Sequence, residues 1–456
     1  MMSQPTPSTP PAPAPAVSLM HPQAAGLDVG AAEVYACVPS GCAEPRVRRF
    51  GTYTPDLHAL AEWLVACQVD TVALESTGVY WIPVYEILTA HALTVEVVNA
   101  QHLKNVPGRK SDVQDCQWIQ QLHSFGLLRG SFRPPEDLAV LRDYLRQRER
   151  LLEARAAHSN HMQQALIQMN LRLPEVLSDL TGQTGMAILR AIVAGERDAT
   201  RLAALRQKTC QHPAEDFVKA LTGHYRAEHV FALTQALALY DAYTQQLGLL
   251  DAQIERQFAV IKPAPPPAGE DSLPPLGPPR KHGPRSKNAP AFDARAALYR
   301  ISGVDLTAID GLGEDTVQTI LAEVGTDMSR FPTVKHFCSW LSLAPHNDIS
   351  GGKVLRSRTL PARNRAGQAF RLAAQSVGRT ATALGAFYRR LCARKGPSKA
   401  IVATAHKIAK IVYLMLKQRQ PYHAVSAEEY DHAQHDRELK SLTRRAARLG
   451  LKLAPT

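Results

Sequence analysis

The sequence predicts an α/β domain near the amino terminus, then long helices, then a mainly helical and strongly basic carboxy-terminal part. Three features carry this expectation. Short β-rich runs alternate with helical spacing up to about residue 128, apolar residues recur near a 3.5-residue repeat up to residue 258, and a later window of 67 residues contains no acid.

In the first part, residues 25–29, 33–38 and 46–53 are short runs bounded by Gly, Pro or Ser, as in a strand meander. Residues 57–66 have helical spacing, 69–74 form a buried-strand run, 84–92 are helical, 93–98 are β-rich and 113–125 are helical. The order β-β-β-α-β-α-β-α is that of the RNase H-like fold, a mixed sheet flanked by helices. This domain is expected over 24–134, behind a polyproline-like disordered tail at 1–23 that lacks the charged and apolar regions of a secretion signal.

Residues 135–260 read as long helices. Leu138, Leu141, Leu145 and Leu152 share one face of an early helix, and Leu233, Leu237, Tyr240, Leu247, Leu250, Ile254 and Phe258 share one face of a later one. A dimerising coiled coil and an ordinary helical bundle both fit that spacing. Residues 261–291 are too rich in proline to fold alone and read as a linker. A basic helical domain is expected over 292–420, and a polar tail over 421–456.

The 456 residues carry a net charge of +12 with a pI near 9.4, which favours a polyanionic partner: nucleic acid or an acidic membrane surface. The most apolar late stretch, 400–416, is interrupted by His406, Lys407 and Lys410, so a membrane span is not expected. Seven scattered cysteines without a CxxC pair suggest neither a disulfide framework nor a thiolate zinc site, and fit a reducing cytoplasm.

Four acids stand where phosphoryl-transfer chemistry would need them. Asp28 closes the first strand in AGLDVG, and Glu75 closes the later buried strand in VALESTG. Asp112 and Asp115, three apart at a helix start, share a face. In an RNase H-like sheet the first and fourth strands are neighbours, so the four would gather. Gathered carboxylates repel unless cations neutralise them, and magnesium, as two ions, suits such a site. Each acid alone also has a plainer role: helix cap, dipole partner or turn residue.

Residues 353–419 contain sixteen Lys or Arg and no Asp or Glu, where the chain-wide frequency would place about six acids. Such a surface neutralises phosphates. Candidate nucleic-acid contacts are Lys353, Arg356, Arg358, Arg363 and Arg365, with Arg109 and Lys110 ahead of the acidic pair. Ser350, in HNDISGGKVLRSR, precedes two glycines that allow close approach to a phosphate. From its neighbours alone it is a turn serine more readily than a nucleophile, since no base of clear identity adjoins it. The GLG at 311–313 is either a helix-hairpin-helix turn whose amides meet a phosphate or an ordinary packed glycine turn.

The segments GLDVG, ESTGVYW, VVNAQHLKNVPGRKSDVQD and LAPHNDISGGK, in this order, resemble the DEDD-type insertion-sequence transposases, the bridge-RNA-guided recombinases. The resemblance covers nearly the whole chain outside its tails and proline linker. It implies a RuvC-like first domain whose metal-holding acids match Asp28, Glu75, Asp112 and Asp115, and it turns Ser350 into the nucleophile that joins covalently to DNA. It also implies donor and target DNA selected by a structured non-coding RNA, and a homo-oligomer, dimer or tetramer, with the serine supplied by another subunit. The setting it implies is a prokaryotic, nucleoid-associated cytoplasmic protein. Two positions depart from the family pattern: Ala100 stands for its usual proline and Cys116 for its usual alanine. Two rivals stay open: a metal-dependent junction nuclease that uses water, and a non-catalytic nucleic-acid scaffold.

Overall fold

The computed structural model describes residues 18–75, 78–99, 112–266, 271–279, 286–359 and 364–451. The chain divides into two compact units, Met1–Arg133 and Pro134–Thr456.

The first unit is a five-stranded sheet with helices on both faces. Strands β1 (Ala24–Val29), β2 (Glu33–Cys37) and β3 (Val47–Gly51) form an antiparallel meander. Helix α1 (Thr54–Ala66) returns the chain to β4 (Thr71–Glu75), and α2 (Trp81–Ala90) leads to β5 (Thr94–Val98). Strands β4 and β5 run parallel to β1 and to each other, giving the order β3-β2-β1-β4-β5. Alternation along the strands divides their side chains between two faces. Ala25, Leu27, Val29, Val72 and Leu74 pack under Leu57, Leu60, Leu64 and Leu88 of α1 and α2. Gly26, Asp28, Ala73 and Glu75 point the other way, toward α3 (Asp112–Ser124).

Helix α3 is poorly apolar yet lies close on the sheet, because its buried polar groups find partners. Gln120 donates to the Ala24 carbonyl (3.2 Å) and to Ser124 Oγ (2.9 Å). Arg46 donates to Gln120 Oε1 (3.2 Å), and His123 Nε2 lies 2.9 Å from Thr71 Oγ1. Burial pushes the His123 imidazole down to about 4, so the ring is neutral there. Gly26 makes the approach possible: a Cβ at that position would lie 2.5 Å from the Cys116 carbonyl oxygen and closer still to the Gln120 amide nitrogen.

The second unit is built on two long helices, α4 (Glu136–Gln168) and α9 (Ala227–Val260), each about 50 Å long at 1.5 Å per residue. They pair antiparallel within the one chain: Asp137 meets Gln257, Tyr144 meets Gln253, and His158 stacks on Tyr243. Midway, Arg148 and Asp251 form a buried ion pair (2.6 Å). Four short helices, α5 (Leu173–Val176), α6 (Gln183–Val193), α7 (Ala199–Ala204) and α8 (Ala214–Leu221), close a core at one end around Met162, Leu166, Phe217 and Leu233.

The described part of the proline-rich segment is held at several points. The Ala264 amide donates to the Arg300 carbonyl (2.8 Å), Tyr299 Oη to the Pro274 carbonyl (2.7 Å) and Arg148 to the Asn288 carbonyl (2.7 Å). Beyond it come α10 (Ala294–Ser302), α11 (Glu314–Val324) and α12 (Val334–Trp340), then a hairpin of β6 (Pro345–Ser350) and β7 (Lys353–Thr359). Helices α13 (Arg365–Val377), α14 (Ala383–Lys395), α15 (Pro397–Gln418) and α16 (Ala427–Arg448) follow. The stretch expected as a polar tail thus contains a helix of six turns, opened by a capping box between Ser426 and Glu429. No described helix is long and apolar enough to cross a membrane.

Candidate functional site

Parallel register sets Leu27 beside Leu74, so Asp28 and Glu75 are the next residues along adjacent strands, on the face that α3 covers. Helix α3 runs opposite to β1: Ser124 accepts from the Met20 and His21 amides, Gln120 reaches Ala24, and Cys116 sits over Gly26. One turn further toward its start, Asp115 and Asp112 come to the carboxyl end of β1, where Asp28 stands. The other three sequence-selected acids therefore lie within electrostatic reach of Asp28. Burial pushes the Asp28 carboxyl up to about 6, and the charges of Asp112, Glu75 and Asp115 push the same way, against one backbone hydrogen bond from Val29.

The donor chemistry fits a hard divalent cation, since all four side chains offer carboxylate oxygens. Among the described residues, however, no three acids, histidines or cysteines stand close enough together to hold a metal ion as they are placed. Asp112 is exposed, while Asp28, Glu75 and Asp115 are half-buried. Arg109 and Lys110 lie outside the described residues.

Beside the acids is a group that sequence reading did not select. Cys37 and Cys116 are buried free thiols near enough to perturb each other; Cys116 Sγ donates to the Val113 carbonyl (3.2 Å), and Arg46 donates to Cys37 Sγ (3.4 Å). The contact with Cys116, helped by Arg46, holds the Cys37 thiol below the usual thiol range, and Cys116 is pushed up in turn. Gly26 was the available signal. A glycine inside a buried strand, two residues before the acid, marks a close backbone approach.

In the second unit, Ser350 ends β6 at the tip of the exposed β6–β7 hairpin and pairs with Lys353. Gly351 (φ +55°) and Gly352 (φ +77°) make the two-residue turn, where only glycine takes such angles without strain. A register shift between Asp348 and Ile349 leaves Leu355 as the extra residue of β7. The extra residue returns Arg356 and Arg358 to the face that carries Lys353. That face then bears His346, Asp348 and Ser350 on one strand and three cations opposite. His346 Nδ1 lies 3.5 Å from Asp348 Oδ1. Among the described residues no base is hydrogen-bonded to the Ser350 hydroxyl. Arg365 opens α13 and pairs with Glu149 of α4, while Arg363 lies outside the described residues.

Gly311 of the GLG turn has φ +84°, and its Cα packs where a Cβ would lie 2.6 Å from the Ala373 carbonyl oxygen. The helix start after it carries Glu314 and Asp315, whose charges oppose a phosphate. This glycine serves packing.

Two family models match the chain. A transposase model of the DEDD type for IS110 covers residues 25–171, and a model described as the transposase IS116/IS110/IS902 family covers residues 305–389. No curated protein matches.

Proposed function

Because the chain belongs to the IS116/IS110/IS902 family of transposases, we propose that it cuts and rejoins DNA of an insertion sequence with magnesium held by four carboxylates and with Ser350 as nucleophile. The observation that supports this reading is the placing of Asp28 and Glu75 at the carboxyl ends of the adjacent strands β1 and β4, with Asp112 and Asp115 near enough to act on the Asp28 charge. We read the first unit as RNase H-like (RuvC-like). Its support is the strand order β3-β2-β1-β4-β5, with an antiparallel meander followed by two parallel strands.

Asp28, Glu75, Asp112 and Asp115 would hold the metal. Bound there, magnesium supplies charge neutralisation and polarises phosphate oxygens. The protein's part is to keep four negative groups together, which the rigid β1–β4 pair and the close α3 contact at Gly26 accomplish. In the second unit the Ser350 oxygen attacks phosphorus, and a deoxyribose oxygen leaves with a proton. The resulting seryl phosphodiester retains the bond energy needed for rejoining. Lys353, Arg356 and Arg358, on the same hairpin face, offset the charge that builds on the phosphate. Asp348 and His346, the carboxylate and imidazole on that face, are the candidates to accept the serine proton. A guide RNA and a homo-oligomer belong to the same reading through the family resemblance, and the acid-free window at 353–419 suits either nucleic acid.

The exposed Ser350, without a bonded base, favours one second reading: a magnesium-dependent nuclease that uses water. Incubation with a DNA substrate carrying both element ends, followed by denaturing gels, separates the two. Recombination chemistry requires a protein–DNA adduct that disappears with Ser350→Ala, and loss of strand exchange with Asp28→Asn. Undiminished cleavage by Ser350→Ala would leave only the nuclease.

A further inference from the structure

Helix α15 has two faces. One buries Ala400, Thr404, Ala405, Ile408, Val412 and Leu416 in the core of the second unit. The other, at 398, 399, 402, 403, 406, 407 and 410, lines an open groove of about 720 Å³. Its floor is apolar, from Leu343, Val402, Ala403 and Phe387. Lys399, Lys407 and Lys410 stand around it, and among the described residues no acid lines it. Lys407 is held over the rings of Phe387 (4.5 Å) and Tyr430 (4.8 Å) by cation–π contact. Pro345 and Thr359, which face each other at the foot of the Ser350 hairpin, form one rim.

We propose that this groove seats one unpaired deoxynucleotide of the DNA on which the hairpin acts, with its base against the apolar floor and its phosphate between the lysines. The inference rests on the reading of this unit as nucleic-acid-binding and adds a site to it. An apolar floor ringed by cations, with no carboxylate, suits a π-faced base attached to a phosphate. A volume in the ordinary range for small-molecule sites leaves room for base, sugar and phosphate. From Pro345 to Ser350 the strand advances about 17 Å. A DNA strand with its reacting phosphate at the serine would therefore reach the groove within about five phosphate steps, the count along a duplex axis, and in fewer where the strand is unpaired and extended. A cationic interruption of an otherwise apolar helix, puzzling as core, acquires a role: His406, Lys407 and Lys410 all line this groove.

The test uses the full chain with Ser350→Ala, so that binding is read without chemistry. Fluorescence anisotropy compares a labelled single-stranded deoxyoligonucleotide, its duplex and the RNA of the same sequence. Val402→Trp, which fills the floor, is expected to weaken single-strand binding by about fivefold to a hundredfold, the range for loss of one stacked base, with duplex binding kept within about twofold. Lys399→Gln with Lys410→Gln, which strips the cations from that one phosphate, is expected to lower the single-strand salt slope by about 0.7. With an iodouracil base in the strand, ultraviolet light should cross-link the α14 peptide that contains Phe387, a readout independent of how the tryptophan variant folds. Normal duplex binding, with single-strand binding indifferent to both variants and no cross-link at α14, overturns the groove alone. Tighter binding of the RNA through the same residues overturns its assignment to DNA. Failure to bind any of the three nucleic acids overturns the functional reading of this unit, and the groove with it.

Discussion

Replacing Asp28 by asparagine removes one charge from the acidic cluster while keeping the side chain's size. In the metal-free protein the Asp28 carboxyl is held at about 6 against an ordinary 3.8, mainly by burial and then by its three acidic neighbours. That displacement has a ceiling of about 3 kcal/mol, and partial contact with water reduces it to about 1–2 kcal/mol. A raised carboxyl means that the folded state binds the proton more tightly than the unfolded chain does. The contribution is therefore fully present below about pH 4 and is lost as pH rises through about 6. Without metal, the wild type should lose stability over that window while Asp28→Asn stays flatter. At pH 7.5 the variant's first-unit transition, followed by scanning calorimetry, should lie about 4–8 °C higher. Added magnesium should raise the wild type and leave the variant nearly unmoved. A variant melting at or below the wild type at pH 7.5 without metal would refute the electrostatic reasoning.

Gly26→Ala should destabilise the first unit by about 1–3 kcal/mol, because the methyl group would meet α3 backbone and lift the helix from the sheet; urea unfolding measures this. Asp251→Ala leaves the buried Arg148 guanidinium without its carboxylate and should cost about 3–5 kcal/mol by the same method. Arg356→Gln with Arg358→Gln should lower the salt slope of duplex binding by about 1.8, whereas an unchanged slope would mean that neither side chain meets a phosphate. Alanine at both Gly351 and Gly352 should cost about 1–2 kcal/mol at each position but only within the exposed hairpin, reducing adduct yield with little effect on melting.

Much of the first unit was legible because its strands are short, mostly apolar runs, two of which, β1 and β4, carry an acid at or next to their carboxyl end. Register then follows from burial, and the acids at the ends of β1 and β4 become neighbours. The closeness of α3 was written in a single glycine, and the Cys37–Cys116 contact depends on that approach, so neither follows from periodicity. The hairpin bearing Ser350 left no hydrophobic alternation to read, since nearly all its residues face water. Only the turn chemistry of Gly351 and Gly352 announces it. The apolar spacing of the long helices is equally compatible with a partner chain; complementary polar groups such as Arg148 and Asp251 join α4 to α9, and no one-helix pattern reveals such a match. Helix α16 had a readable start in Ser426 and Glu429, hidden by the polar composition that follows.

Crystals of the full chain soaked in manganese and measured at the metal's absorption edge would probe the acidic cluster directly. Anomalous density between the carboxylates of Asp28 and Glu75, within reach of Asp112 or Asp115 and lost in Glu75→Gln, is the expected result. Manganese bound elsewhere, with those four side chains left uncoordinated at saturating metal, would contradict it.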